Sequence, residues 1–133
     1  MAKRFFSLIA GLIAGGIATY IVEAFSAKYY PLAEGIDPGN IEAMKAHIAS
    51  LPIGAYLFII LAWAMGSLAG GFVAGIIVKE KATLYALIVG AILMSFGLIN
   101  LIMVPHPVWF WFAGMSVYLP FAWMGGKLAS IIP

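Results

Sequence analysis

The chain has 133 residues, 65% of them hydrophobic, and only twelve formal charges, where a soluble domain of this length carries about thirty. A water-soluble globule is excluded. With no cysteine, so are disulfides, thiolate metal sites, iron–sulfur clusters and a cysteine nucleophile. The net charge of +2 is spread too thinly to form a nucleic-acid surface.

In chain order, the first apolar run follows Lys3 and Arg4 and reaches Glu23. A secretory signal would have a shorter apolar region and a small-residue cleavage site. Ala24-Phe25-Ser26 is a passable site, but the run is long enough to span, so residues 5–25 are read as a retained span. Between Lys45 and Lys79 lie 33 positions without Asp, Glu, Lys or Arg, and between Lys81 and Lys127 another 45. One crossing needs about twenty apolar residues. These stretches predict spans over 52–78, 83–104 and 108–130, the last two joined tightly through Pro105-His106-Pro107.

The fold class expected is an all-α membrane protein, a four-transmembrane-helix bundle forming a single domain. Lys3, Arg4, Lys79, Lys81 and Lys127 fall on one side against Lys28 and Lys45 on the other, which puts both termini in the cytoplasm. The outer loop 26–51 then contains a short amphipathic helix, with Ile41, Met44, Ile48 and Leu51 on one face. Asp37 is its expected cap and Pro38 its first residue. The helix is read as a lid lying on the bundle or the membrane surface, with a docking site as the alternative.

Spans one and three share a short pattern (Leu8-Ile9 with Gly11, Leu87-Ile88 with Gly90). Spans two and four share Ala62-Trp63-Ala64-Met65-Gly66 and Ala122-Trp123-Met124-Gly125. Two helical hairpins in parallel duplication are one way to produce this. Glycines recur at four-residue steps: Gly11 with Gly15, Gly66 with Gly70, Gly71 with Gly75. Lipid gives helices no hydrophobic reason to associate, so small faces of this kind mark close helix packing. A pore lining or a hinge is the functional alternative.

No ionisable residue lies near the bilayer centre, which argues against proton- or ion-coupled transport. The candidate polar group is on the outer side: Glu23, Asn100 and His106, with His47 from the outer loop. Its carboxylate and imidazoles suit zinc in type, but no pair has helical ligand spacing, so no metal and no cofactor is assigned. The preferred reading is plainer: Glu23 pairs with Lys28 or caps a loop amide, Asn100 bonds across helices, and His106 closes a turn. In the fourth span Pro120 removes an amide donor and frees the Ser116 carbonyl. Core packing is the role read for the aromatics beside a kink there, Tyr118, Trp63 and Trp123, with an apolar pocket between helices as the alternative.

Tyr30-Pro31, Gly35-Ile36-Asp37-Pro38, Leu51-Pro52, Trp63 with Gly66 and Gly70-Gly71, and Pro105-His106-Pro107-Val108-Trp109-Phe110 resemble a group of small bacterial four-span membrane proteins with no assigned activity. The resemblance implies a bacterial inner-membrane location and brings no catalytic residue with it. Other four-span families fit less well. Small multidrug exporters have a Glu in the middle of span one, dimeric fluoride channels have pore motifs not found here, quinone-linked disulfide formers need cysteines, and haem anchors need His within the spans. The function expected is therefore non-enzymatic: an accessory or self-associating subunit of a membrane assembly, in a lipid bilayer and as a homo-oligomer or part of a larger complex. The alternative is a homo-oligomeric, uncoupled channel or facilitator for a small solute or lipid.

Overall fold

The computed structural model describes residues 1–133 and contains helices and no strand: α1 (Ala2–Tyr29), α2 (Ile41–Ala49), α3 (Ile53–Val78), α4 (Ala82–Met103) and α5 (Val108–Ile131). Three of them, α1, α3 and α4, are long and apolar enough to cross a membrane, so the chain is a helical membrane protein. α5 has 24 residues, but its Trp, Tyr and Pro residues dilute its apolar character.

α1 extends beyond the apolar run at both ends, taking in Lys3, Arg4 and Lys28. Helical hydrogen bonding does not stop where hydropathy does. α2 begins at Ile41 and not at Pro38, and Asn40 is its cap, its side chain accepting from the Ala43 amide at 3.2 Å. Asp37 is used elsewhere: its Oδ1 accepts from the Gly39 amide at 2.9 Å, a local turn that competes with helix. Tyr56 on α3 donates its hydroxyl to the Ile48 carbonyl at 2.5 Å and ties α2 to the bundle.

α3 is the central helix. α1 and α5 flank it without touching each other, α4 packs on α5 and on α3, and α1 and α4 meet least. Bare backbone makes the tight contacts. A Cβ on Gly11 would lie 2.8 Å from the Gly70 carbonyl oxygen, and one on Gly70 2.8 Å from that of Gly11. Gly15 and Gly66 stand in the same relation one turn along, at 2.9 Å. On the other side of α3, Gly71 packs on the Ala122 backbone, and Gly75 would bring a Cβ within 2.7 Å of the Ala129 methyl. The small faces read from the sequence are thus occupied inside the protomer.

Small residues close the end formed by Gly75, Ala82, Ala86 and Ala129. Large rings fill the opposite half, where Tyr56, Trp63, Phe110 and Tyr118 form the buried core with Leu101 and Ala62. The bundle is consequently a wedge, narrow where methyls and glycines meet and wider where rings stack. Met1, Lys3, Arg4, Lys79 and Glu80 border one cleft at the narrow end, and Lys79 Nζ donates to the carbonyls of Ile132 and Pro133 at 3.3 and 2.8 Å. Both chain ends and the α3–α4 turn therefore lie together.

The two Ala-Trp segments are used differently. Trp63 is buried between Phe110 and Tyr118, whereas Trp123 lies on the surface beneath Lys127, whose Nζ is 5.4 Å from its ring.

Candidate functional site

The wedge leaves a cavity of about 300 Å³ where α1 and α4 diverge. α1 lines it with Gly16, Thr19, Tyr20 and Glu23, and α4 with Leu93, Phe96, Gly97 and Asn100. Both sets follow the steps i, i+3, i+4, i+7, so each is one stripe of its helix. Trp63 of α3 and Tyr118 of α5 form the floor. Tyr118 can lie there because Gly97 has no side chain: a Cβ at Gly97 would run into the phenol ring, 2.8 Å from its carbons.

Thr19 bridges α1 and α3, its hydroxyl lying 2.9 Å from the Gly15 carbonyl and 3.3 Å from that of Ala62. It is thereby committed to packing. Glu23 forms no ion pair, since the single salt bridge of the chain joins Lys45 to Glu42. The expected pairing of Glu23 with Lys28 is not made; Lys28 Nζ instead sits 5.5 Å from the centre of the Phe25 ring. Glu23 and Asn100 thus face the cavity with their polar groups free for a ligand.

The other members of the expected outer group lie elsewhere. His106 is stacked on Phe110 with ring centres 4.8 Å apart, edge-on to Tyr56, and its Nδ1 is 2.7 Å from the Val104 carbonyl. A carbonyl only accepts, so Nδ1 carries the hydrogen and donates it. Burial pulls the imidazole below its ordinary value of 6.5, with the Val104 bond acting in the opposite direction. His47 is on α2 and takes no part in the cavity. No three His, Asp or Glu side chains converge as a metal-ligand set.

The aromatic pocket is also placed differently from the expectation. Trp63 and Tyr118 line the cavity, stacked with centres 5.4 Å apart. Pro120 and Trp123 are exposed residues away from it. α5 continues as helix through Pro120, and the cavity lies between α1 and α4 with Trp63 and Tyr118 beneath it.

The sequence singles out Glu23 and Asn100, but not Tyr20, Phe96 or Gly97. The signal was available. Stepping back from Glu23 and from Asn100 by three, four and seven residues gives both stripes. The arrangement can hold a small molecule in an open groove, on a buried floor of Trp63 and Tyr118 and between the exposed rings of Tyr20 and Phe96, with one carboxylate and one carboxamide at its edge. It contains no nucleophile held by a general base. Comparison with protein-family models, curated proteins and solved structures finds no match to the chain, and no residue role is inherited from a relative.

Proposed function

We propose that the protein is a four-span membrane protein of the bacterial inner membrane, with both termini in the cytoplasm, whose working part is the α1–α4 cavity. The cavity is a non-covalent binding site for a small solute or lipid group, entered sideways, as in an uncoupled facilitator. One observation carries this reading: the long-helix pair with the slightest contact among those that meet, α1 and α4, borders a cavity whose carboxylate has no partner in the chain. A fourth span by α5 is supported by its length, about 36 Å at 1.5 Å per residue, and by its packing along α3 and α4. The orientation is supported by Lys3, Arg4 and Lys79 at the end holding both termini.

Trp63 reports on entry. A variant with Trp109, Trp111 and Trp123 changed to Phe keeps Trp63 as its single indole, which is 6% exposed yet lines the cavity. In lipid discs containing brominated phospholipid, its fluorescence is expected to be quenched, and Gly16→Phe, which fills open space, is expected to remove the quenching. Trp63 emission unaffected by brominated lipid would sink the proposal.

A second reading, an accessory or self-associating subunit, is favoured by α1. It is the least covered of the three apolar helices, with Ile9, Ile13, Ile17 and Ile21 all exposed along it. The mass of particles extracted in native lipid discs decides between a multiple of 14.2 kDa and a complex with a second polypeptide.

A further inference from the structure

The cavity carries one formal charge, and that charge is negative. Glu23 lines it, no Lys, Arg or His does, and the nearest cation in sequence, Lys28, is turned onto Phe25. Four of its walls are rings: Tyr20, Trp63, Phe96 and Tyr118. Aromatic faces carry negative potential and attract cations, most strongly those that shed water easily. A carboxylate beside such faces selects charge, while the rings favour apolar substituents over a bare metal ion. Asn100, on the opposite wall from Glu23, adds a carboxamide oxygen that accepts an N–H.

We propose that the cavity binds an organic ammonium group, with Glu23 as its counter-ion and Tyr20, Trp63, Phe96 and Tyr118 as its aromatic cage. This rests on the cavity being a ligand site, and it adds the ligand's chemical class. Two sources supply that chemistry, the amine headgroup of a lipid in the surrounding leaflet and a free alkylammonium solute. Hydrated inorganic cations fit poorly: one carboxylate and one carboxamide cannot replace the six or more oxygens that a hard divalent ion requires.

The test exploits the absence of cysteine. Gly16→Cys places a single thiol at a cavity position where an added side chain meets nothing within 4 Å. The variant is reconstituted in discs of phosphatidylglycerol, which has no amine, and its rate of maleimide labelling is measured. Tetraethylammonium is expected to slow labelling saturably, and a neutral tertiary alcohol of similar size to do so roughly tenfold less well. Adding Glu23→Gln, which keeps shape and removes charge, is expected to weaken tetraethylammonium protection by about tenfold and to leave alcohol protection unchanged. Equal protection by cation and alcohol, or protection indifferent to Glu23→Gln, overturns the assignment of an ammonium while leaving the cavity a ligand site. A thiol protected by neither, together with unquenched Trp63, overturns the site itself. Replacing part of the phosphatidylglycerol by phosphatidylethanolamine separates the sources. Competition with tetraethylammonium identifies a lipid headgroup, and its absence identifies a free solute, both outcomes supporting the ammonium assignment.

Discussion

Gly70→Ala adds one methyl group where α1 and α3 touch backbone to backbone. The new Cβ would lie 2.8 Å from the Gly11 carbonyl oxygen and 3.0 Å from a Val89 methyl, and a helix backbone cannot yield as a side-chain tip can. Separating the helices costs about 1–3 kcal/mol for an overpacked contact of this kind, offset by about 0.5–1 kcal/mol because alanine suits a helix better than glycine. Gly16→Ala, one helix face away in open space, receives the same propensity gain without the clash. The two variants are therefore expected to differ by roughly 2 kcal/mol, about thirtyfold in the unfolding constant. Unfolding by SDS titration from mixed micelles, followed by helical circular dichroism, reads the difference, and native mass spectrometry of the same samples reads assembly. Equal stability of the two variants would refute packing within the protomer. So would a Gly70→Ala protein that keeps its fold but falls from oligomer to monomer, since that places the face between copies.

Other expectations follow from single contacts. Tyr56→Phe removes the hydroxyl that holds the Ile48 carbonyl, at a cost of about 1 kcal/mol, and amide exchange is expected to quicken across α2 while α3 stays protected. The Ser67 hydroxyl is fully buried without a partner, so Ser67→Ala is expected to leave stability unchanged or to raise it by about 1 kcal/mol; a loss of that size in SDS titration would reveal a partner. His106 has a folded value below its unfolded 6.5, so below 6.5 the unfolded chain binds the extra proton first. Stability is therefore complete above 6.5 and declines as pH falls from there through the lowered folded value. Melting temperatures are expected to drop across that interval, and His106→Gln to flatten the profile; an unchanged slope in that variant would assign the effect to other groups.

The helical elements were legible because lipid permits few solutions. Charge-free stretches mark where backbone must satisfy itself, and the apolar reading of 52–78 lies within one residue of α3, Ile53–Val78. α1 exceeded its reading because hydropathy reports lipid, whereas Lys3, Arg4 and Lys28 still make helical hydrogen bonds outside the apolar stretch. The start of α2 was misread because Asp37 and Asn40 are equally good caps in isolation, and only Gly39, folded back onto Asp37, decides for the later one. At the site, Glu23 and Asn100 stood out as polar residues in apolar helices. Their meeting depends on α1 and α4 facing each other across a slight contact, a matter of three-dimensional volumes that no single helix encodes. The same holds for His106, which was grouped with them by sequence depth but turned by Phe110 and Val104 into the α4–α5 connection.

The wedge shape makes α1 a lever. Its backbone-to-backbone contacts with α3, Gly11 against Gly70 and Gly15 against Gly66, act as a fulcrum, and Glu23 lies eight residues beyond Gly15, about 12 Å along the axis at 1.5 Å per residue. A tilt of about 10° would carry the Glu23 carboxylate sideways by ~2 Å over that arm, and would have to shift the Thr19–Ala62 contact and the Tyr29–Phe58 stack that hold α1 to α3 on either side of Glu23. Residues that never touch a ligand thereby set how far Glu23 stands from Asn100. Because helix tilt is set by packing against neighbouring helices, these glycine contacts bear on the cavity from outside it.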